Sequence, residues 1–140
     1  MATLLAGASC RQAVLPELPA ISMQGFVPVV RAEVQKALAD AQANPRDAAA
    51  NGRLGMVLHA HQQYASAETC YRRANLLAPK SFEWLYYLAL VQELQGKNAE
   101  AAGHLRHAVR LKPEYTAAHL RLADVLATTG YLDECGSRKS

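Results

Sequence analysis

Aromatic residues make up only 6% of this 140-residue chain, and tryptophan occurs once. Sheets favour aromatic and β-branched residues at alternating positions, and no stretch here alternates in that way, so strands are not expected. The three cysteines, Cys10, Cys70 and Cys135, form no C-x-x-C pair, which excludes a zinc ribbon and a haem attachment site. Charge of one sign is also scarce: the formal net charge is +3, with lysine and arginine dispersed among acids. A nucleic-acid partner would call for a basic stripe, and none is present. The sequence contains no nucleophile elbow, phosphate loop or H-E-x-x-H motif. Neither catalysis, a small-molecule substrate nor a cofactor is therefore expected.

What the chain does contain is one segment written twice. Between Asn51 and Pro113 an offset of 34 residues places Leu54 over Leu88, Gly55 over Ala89, Ala67 over Ala101, Tyr71 over Leu105, Ala74 over Ala108 and Pro79 over Pro113. A period of this length marks stacked helix-turn-helix units. Leu54, Val57, Leu58 and His61 recur at helical steps, as do Ala67, Cys70, Tyr71, Ala74 and Leu77, so each unit carries two helices with one apolar stripe apiece. The small residues let the paired backbones approach, and the prolines, which cannot continue a helix interior, punctuate the units. With 51% hydrophobic residues rich in alanine and leucine, the composition suits close-packed helices.

These columns resemble the tetratricopeptide repeat. The first unit supplies Leu54, Gly55, Tyr64, Ala67, Tyr71, Ala74 and Pro79; the second supplies Leu85, Leu88, Ala89, Gly96, Ala101, Leu105, Ala108 and Pro113. Departures fall at Gln62, where a turn glycine is usual, at Asn51 and Gln92, where large apolar residues are usual, and at Trp84, one place ahead of the family's tryptophan. The resemblance implies an all-α, right-handed solenoid of antiparallel helix pairs, about six helices in all. Its units are residues 47–80 and 81–114, followed by an incomplete third at 115–135 and a polar tail at 136–140.

Residues 1–27 are unlike the rest. Gly7-Ala8-Ser9-Cys10 resembles the lipobox of bacterial lipoproteins, and Leu15-Pro16-Glu17-Leu18-Pro19 reads as an extended linker, in a leader expected to be disordered. The leader lacks the basic start and length of an export signal. Two readings stay open: a clipped signal, with Cys10 lipidated in a bacterial envelope or periplasm, or a disordered cytoplasmic leader. Residues 28–44 form a capping helix begun by Pro28, with Glu33 and Asp40 giving it the polar outer face that a cap requires. Thr116 to Thr129 repeats a first helix, and its partner should start near Leu132. Leu120, Leu122, Val125 and Leu126 spread over more than one side of that helix, which points to a contact surface or to a longer array.

The resemblance also implies where a partner binds, because first helices in this family line a concave face that holds an extended peptide or a partner helix. The matching positions are Met56, His59 and Gln63, then Glu83, Tyr86, Tyr87, Leu90 and Glu93, then Leu120, Arg121 and Asp124. Tyr86 and Tyr87, with Trp84 beside them, concentrate aromatic surface, the usual material of a binding hot spot. A subfamily that clamps acidic chaperone C-termini has basic and amide residues where this chain has Gly52, Met56, Tyr87 and Ala117, and only Arg121 fits. The expected function is a non-catalytic protein-binding adaptor. The alternatives are self-association through the open C-terminal helix, or an auxiliary domain of a larger enzyme. Cys70 and Cys135 fit packing columns, and His104 with His107 suits a solvated outer face better than a metal site.

Overall fold

A computed structural model describes residues 12–137, with side chains as far as Gly130. Cys10 and the lipobox-like stretch lie outside the described residues, as does the end of the polar tail. Six helices follow an extended leader: α1 (Pro28–Ala43), α2 (Ala48–Ala60), α3 (Tyr64–Leu77), α4 (Phe82–Leu94), α5 (Asn98–Leu111) and α6 (Thr116–Ser137). Each packs on the next, so the chain stacks as a helical solenoid. No strand occurs among the described residues.

Local chemistry sets the boundaries. Pro28 opens α1, where a missing N–H costs nothing. Asp47 caps α2 by accepting from the Ala49 and Ala50 amides at 3.1 and 3.2 Å. The turns inside the two full pairs are one backbone shape repeated a period apart, with positive φ at Gln62 (60°) and at Gly96 (75°). Glycine adopts that left-handed conformation freely, whereas an L side chain is strained there by roughly 1–2 kcal/mol. Replacing the exposed Gln62 by glycine is therefore expected to stabilise the fold by about 0.5–1 kcal/mol once glycine's own entropy is subtracted. Gly96→Gln should destabilise by a similar amount. Urea titration of the two variants checks both signs, and a neutral Gln62→Gly would show that the strain at Gln62 is no larger than glycine's entropic cost.

The first core cluster joins Val34, Leu54, Leu58, Ala67, Cys70, Tyr71, Leu88 and Val91 across α1 to α4, and the second joins Ala89, Ala101, Ala102, Leu105 and Val125 across α4 to α6. Gly55 lets α2 meet α3, since a Cβ there would stand 2.8 Å from the Tyr71 ring. Gly52 is occupied from outside its own pair: the Trp84 ring of α4 lies where its Cβ would be. That gap gives Trp84 its seat one place ahead of the family column.

Several expectations need correction. Residues 12–27 are not an unstructured linker. Leu18, Ile21, Met23 and Phe26 pack on the first core cluster, and the extended backbone finds donors in two arginines, Arg46 reaching the Ala13 carbonyl at 3.2 Å and Arg73 the Pro16 carbonyl. The segment runs from the start of α2, beside those arginines, to its end, where Phe26 faces His61 at 6.0 Å. One period before α2 with its Asp47 cap, residues 47–60, is 13–26, so a strap without helical hydrogen bonds runs where a preceding first helix would be placed by the spacing.

α1 keeps a polar outer face, with Arg31, Gln35 and Lys36 exposed, but Glu33 and Asp40 reach toward α2. Asp40 pairs with Arg53 of α2 at 2.7 Å, and Glu33 lies 3.5 Å from His61. Finally, the expected break after Thr129 is absent, because α6 continues through Gly130 to Ser137. One glycine costs about 1 kcal/mol in a helix and does not end it. Thr128 and Thr129 also bond back to the Asp124 and Val125 carbonyls, within the helix.

Candidate protein-binding face

Contacts between alternate helices bring the first helices side by side. Trp84 of α4 covers Gly52 of α2, and Glu93 of α4 pairs with Arg121 of α6 at 3.0 Å. Of the residues singled out from sequence, Met56 is 43% exposed and Leu120 is 62% exposed, while Glu83 and Asp124 are open to solvent and Tyr86, Tyr87 and Leu90 are half-buried. Glu93 and Arg121 neutralise each other. Gln63 is the residue preceding α3 and belongs to the turn, not to a first-helix face.

His59 is engaged inside its own pair. Its Nδ1 lies 3.3 Å from the Tyr71 hydroxyl, and its ring meets Tyr64 and Tyr71 edge-on. Burial lowers the His59 pKa. The ring is therefore neutral at pH 7, which suits it to accept from the tyrosine. Tyr87 leans the same way, stacking on buried Tyr71 with centroids 5.6 Å apart. Half of its surface thus serves the core.

The departures from the family pattern form polar knots. Asn51 is fully buried; its amide donates to the Pro45 and Asp47 carbonyls at 3.1 and 2.7 Å, and its oxygen accepts from Arg73 Nε at 2.6 Å. Gln92, also fully buried, donates to Glu68 at 3.2 Å and to Glu100 at 3.3 Å, and its oxygen lies 2.7 Å from His104 Nδ1. His104 is thus half-buried in this network and not on a solvated face with His107. Burial, followed by the nearby Arg72 charge, lowers its pKa, so a neutral ring donates from Nδ1 to Gln92. Cys70 is a buried free thiol, pushed up to about 12 by burial, and takes the packing role. Among the described residues no group of three or more His, Cys, Asp or Glu side chains could hold a metal ion.

Three residues beside Tyr86 were missed. Phe82 stacks on Tyr86 (5.3 Å, 14°), Tyr115 meets both rings edge-on at 4.9 and 5.5 Å, and Lys112 Nζ lies over the Phe82 and Tyr115 rings at 5.5 and 5.4 Å. With Glu83, Tyr86 and Tyr87 they enclose a cavity of about 170 Å³. The four-residue step from Phe82 to Tyr86 was readable in the sequence; Tyr115 lies a turn beyond the next helix.

Helix pairs stacked by small-residue columns, with first helices side by side, define a repeat scaffold. The tetratricopeptide repeat family profile matches residues 53–116 and 95–134, and the chain belongs to that family. It is similar to the BBSome complex member BBS4 of Bos taurus, at 33% identity over 73 residues, which is 52% of this chain and 14% of that protein. Among solved structures it is similar to a mutant O-GlcNAc transferase of Thermobaculum terrenum, with a TM-score of 0.57 and 24% identity over 72% of this chain and 23% of the other. The chain thus spans a small part of either protein, and the second likeness is one of fold.

Proposed function

We propose that the chain is a non-catalytic scaffold that binds a peptide or partner helix along the face made by α2, α4 and α6, with Met56, Glu83, Tyr86, Leu90, Leu120 and Asp124 as contact residues. The observation that carries this reading is the exposure of Met56 and Leu120, 43% and 62%, on first helices that flank the half-buried tyrosines of a third. Large apolar side chains left in water along one face, with acids beside them, suit an amphipathic or partly basic segment. A relative named as a member of a complex is in keeping with a role in assembly. His59 and Tyr87 support this face from behind, and the Glu93–Arg121 pair fixes its register.

The test is capture of partners from the source lysate by wild type, by Met56→Glu with Leu120→Glu, and by Arg106→Glu on the exposed side of α5 as control. Substitutions at such exposed positions should change stability by no more than about 0.5 kcal/mol. A partner held by wild type and control but lost by the double variant supports the groove. A partner that survives the double variant moves binding elsewhere. Exposed Leu120 and Leu126 on α6, at 62% and 39%, favour self-association as a second reading. Sedimentation of the same three proteins decides it, since only self-association makes wild type heavier than the double variant.

A further inference from the structure

We propose that the cavity of Phe82, Glu83, Tyr86, Tyr87, Lys112 and Tyr115 is a subsite for one arginine side chain of the bound partner. This deepens the groove reading and rests on it, because Glu83, Tyr86 and Tyr87 belong to the same first helix.

Three features of the cavity point to a cation. Its walls are the rings of Phe82, Tyr86 and Tyr115, packed at 4.9 to 5.5 Å from one another. Ring faces carry the negative part of the aromatic quadrupole and attract cations. Glu83, an acidic residue in the first turn of α4 and open to solvent, lines the same cavity. Most tellingly, the site already holds a cation: the Lys112 ammonium sits over two of the rings, at 5.5 and 5.4 Å. Lys112 is exposed, so its flexible stem can carry the charge out to water and free both ring faces.

Arginine fits this constellation better than lysine. A planar guanidinium stacks on a ring while its edge N–H groups donate to a carboxylate, and it is more weakly hydrated than an ammonium. The cavity, about 170 Å³, brings ring faces and one acidic residue together. Lys112 acts as an internal competitor, and its presence weakens the subsite by the fraction of time that it covers the rings.

The experiment is a titration of the whole chain, followed by nuclear magnetic resonance, with Nα-acetylarginine amide, its neutral citrulline isostere and Nα-acetyl-lysine amide. Arginine should shift the resonances of Phe82, Glu83, Tyr86 and Tyr115 with a Kd on the order of 10 mM. Citrulline should shift them at least tenfold less at equal concentration, as expected for a cation–π site. Lys112→Met should tighten arginine about threefold, and Glu83→Gln should loosen it about threefold. Equal responses to arginine and citrulline, or an affinity indifferent to Lys112→Met, would overturn the proposal. A stronger response to lysine than to arginine would overturn the choice of side chain. The titration needs no partner protein, so loss of the groove reading in the capture experiment and loss of this subsite are separate results.

Discussion

Glu68→Ala should destabilise the protein by about 3 kcal/mol, and the wild type should lose most of that advantage on its own in acid. Glu68 lies on α3 with its side chain only 6% exposed. Its two oxygens accept from Arg72 at 2.7 Å, Lys97 at 2.7 Å, Gln95 at 2.8 Å and Gln92 at 3.2 Å. One carboxylate thereby ties α3 to the end of α4 and to the turn before α5. Removing it leaves one N–H of fully buried Gln92 unpaired, although Glu100 and His104 still bond that side chain, while Arg72 and Lys97 can turn to water. The cost therefore falls at the low end of the range for a broken buried pair.

Burial alone would raise the Glu68 pKa, but the bonds from Lys97, Gln95, Gln92 and Arg72 outweigh it and hold the carboxyl at about 2, against 4.5 for the free side chain. The folded state binds this proton less readily than the unfolded one. Its contribution, about 3 kcal/mol, is complete above the unfolded value and disappears as pH falls from about 4.5 to about 2. By about pH 3 more than half of it should be gone. Urea titrations of wild type, Glu68→Ala and Glu68→Gln at pH 7 and pH 3 provide the check. The stability gaps should narrow in acid, and parallel pH profiles would show that the carboxylate is not the acid-sensitive group.

That network marks where sequence reading stopped. The columns of Gly55, Ala67, Ala74 and Pro79 with their counterparts were legible because each meets its partner at a fixed spacing inside a pair. Asn51 and Gln92 registered only as departures from an apolar pattern. Their partners, Arg73 and Glu68, lie 22 and 24 residues away on another helix. The strap at 12–27 was invisible for a related reason. Extended chain with prolines has no helical period, and the surface that buries Leu18, Ile21 and Phe26 exists only after α1 and α2 have packed. Side-chain contacts between helices were not legible: nothing in the order of residues tells that His59 turns inward to Tyr71, or that Lys112 folds back over Phe82.

Gly55→Ala and Tyr71→Leu should each destabilise the first pair, and the double variant should be more stable than their sum by about 1–2 kcal/mol. At Gly55 an added Cβ would stand 2.8 Å from the Tyr71 ring and 3.2 Å from the Cys70 Cβ. The ring cannot give way easily, since it is fully buried, stacked on Tyr87 and bonded through its hydroxyl to His59. Overpacking of that kind costs about 1–3 kcal/mol, less about 1 kcal/mol recovered from alanine's better helix propensity. Tyr71→Leu opens a cavity and leaves His59 without its hydroxyl, for about 2–3 kcal/mol. The second pair already carries the compensated solution. Ala89 and Leu105 occupy the same two columns, and both are buried in one cluster. A methyl gained on one helix is matched there by a ring reduced to an isobutyl group on the other. Adding Tyr71→Leu to the Gly55→Ala background should reproduce that match, whereas Tyr71→Leu alone leaves the space empty. A double-mutant cycle by urea unfolding measures the coupling directly. Strict additivity would mean that the two columns do not share the space, and that the Gly–Tyr and Ala–Leu pairings arose independently.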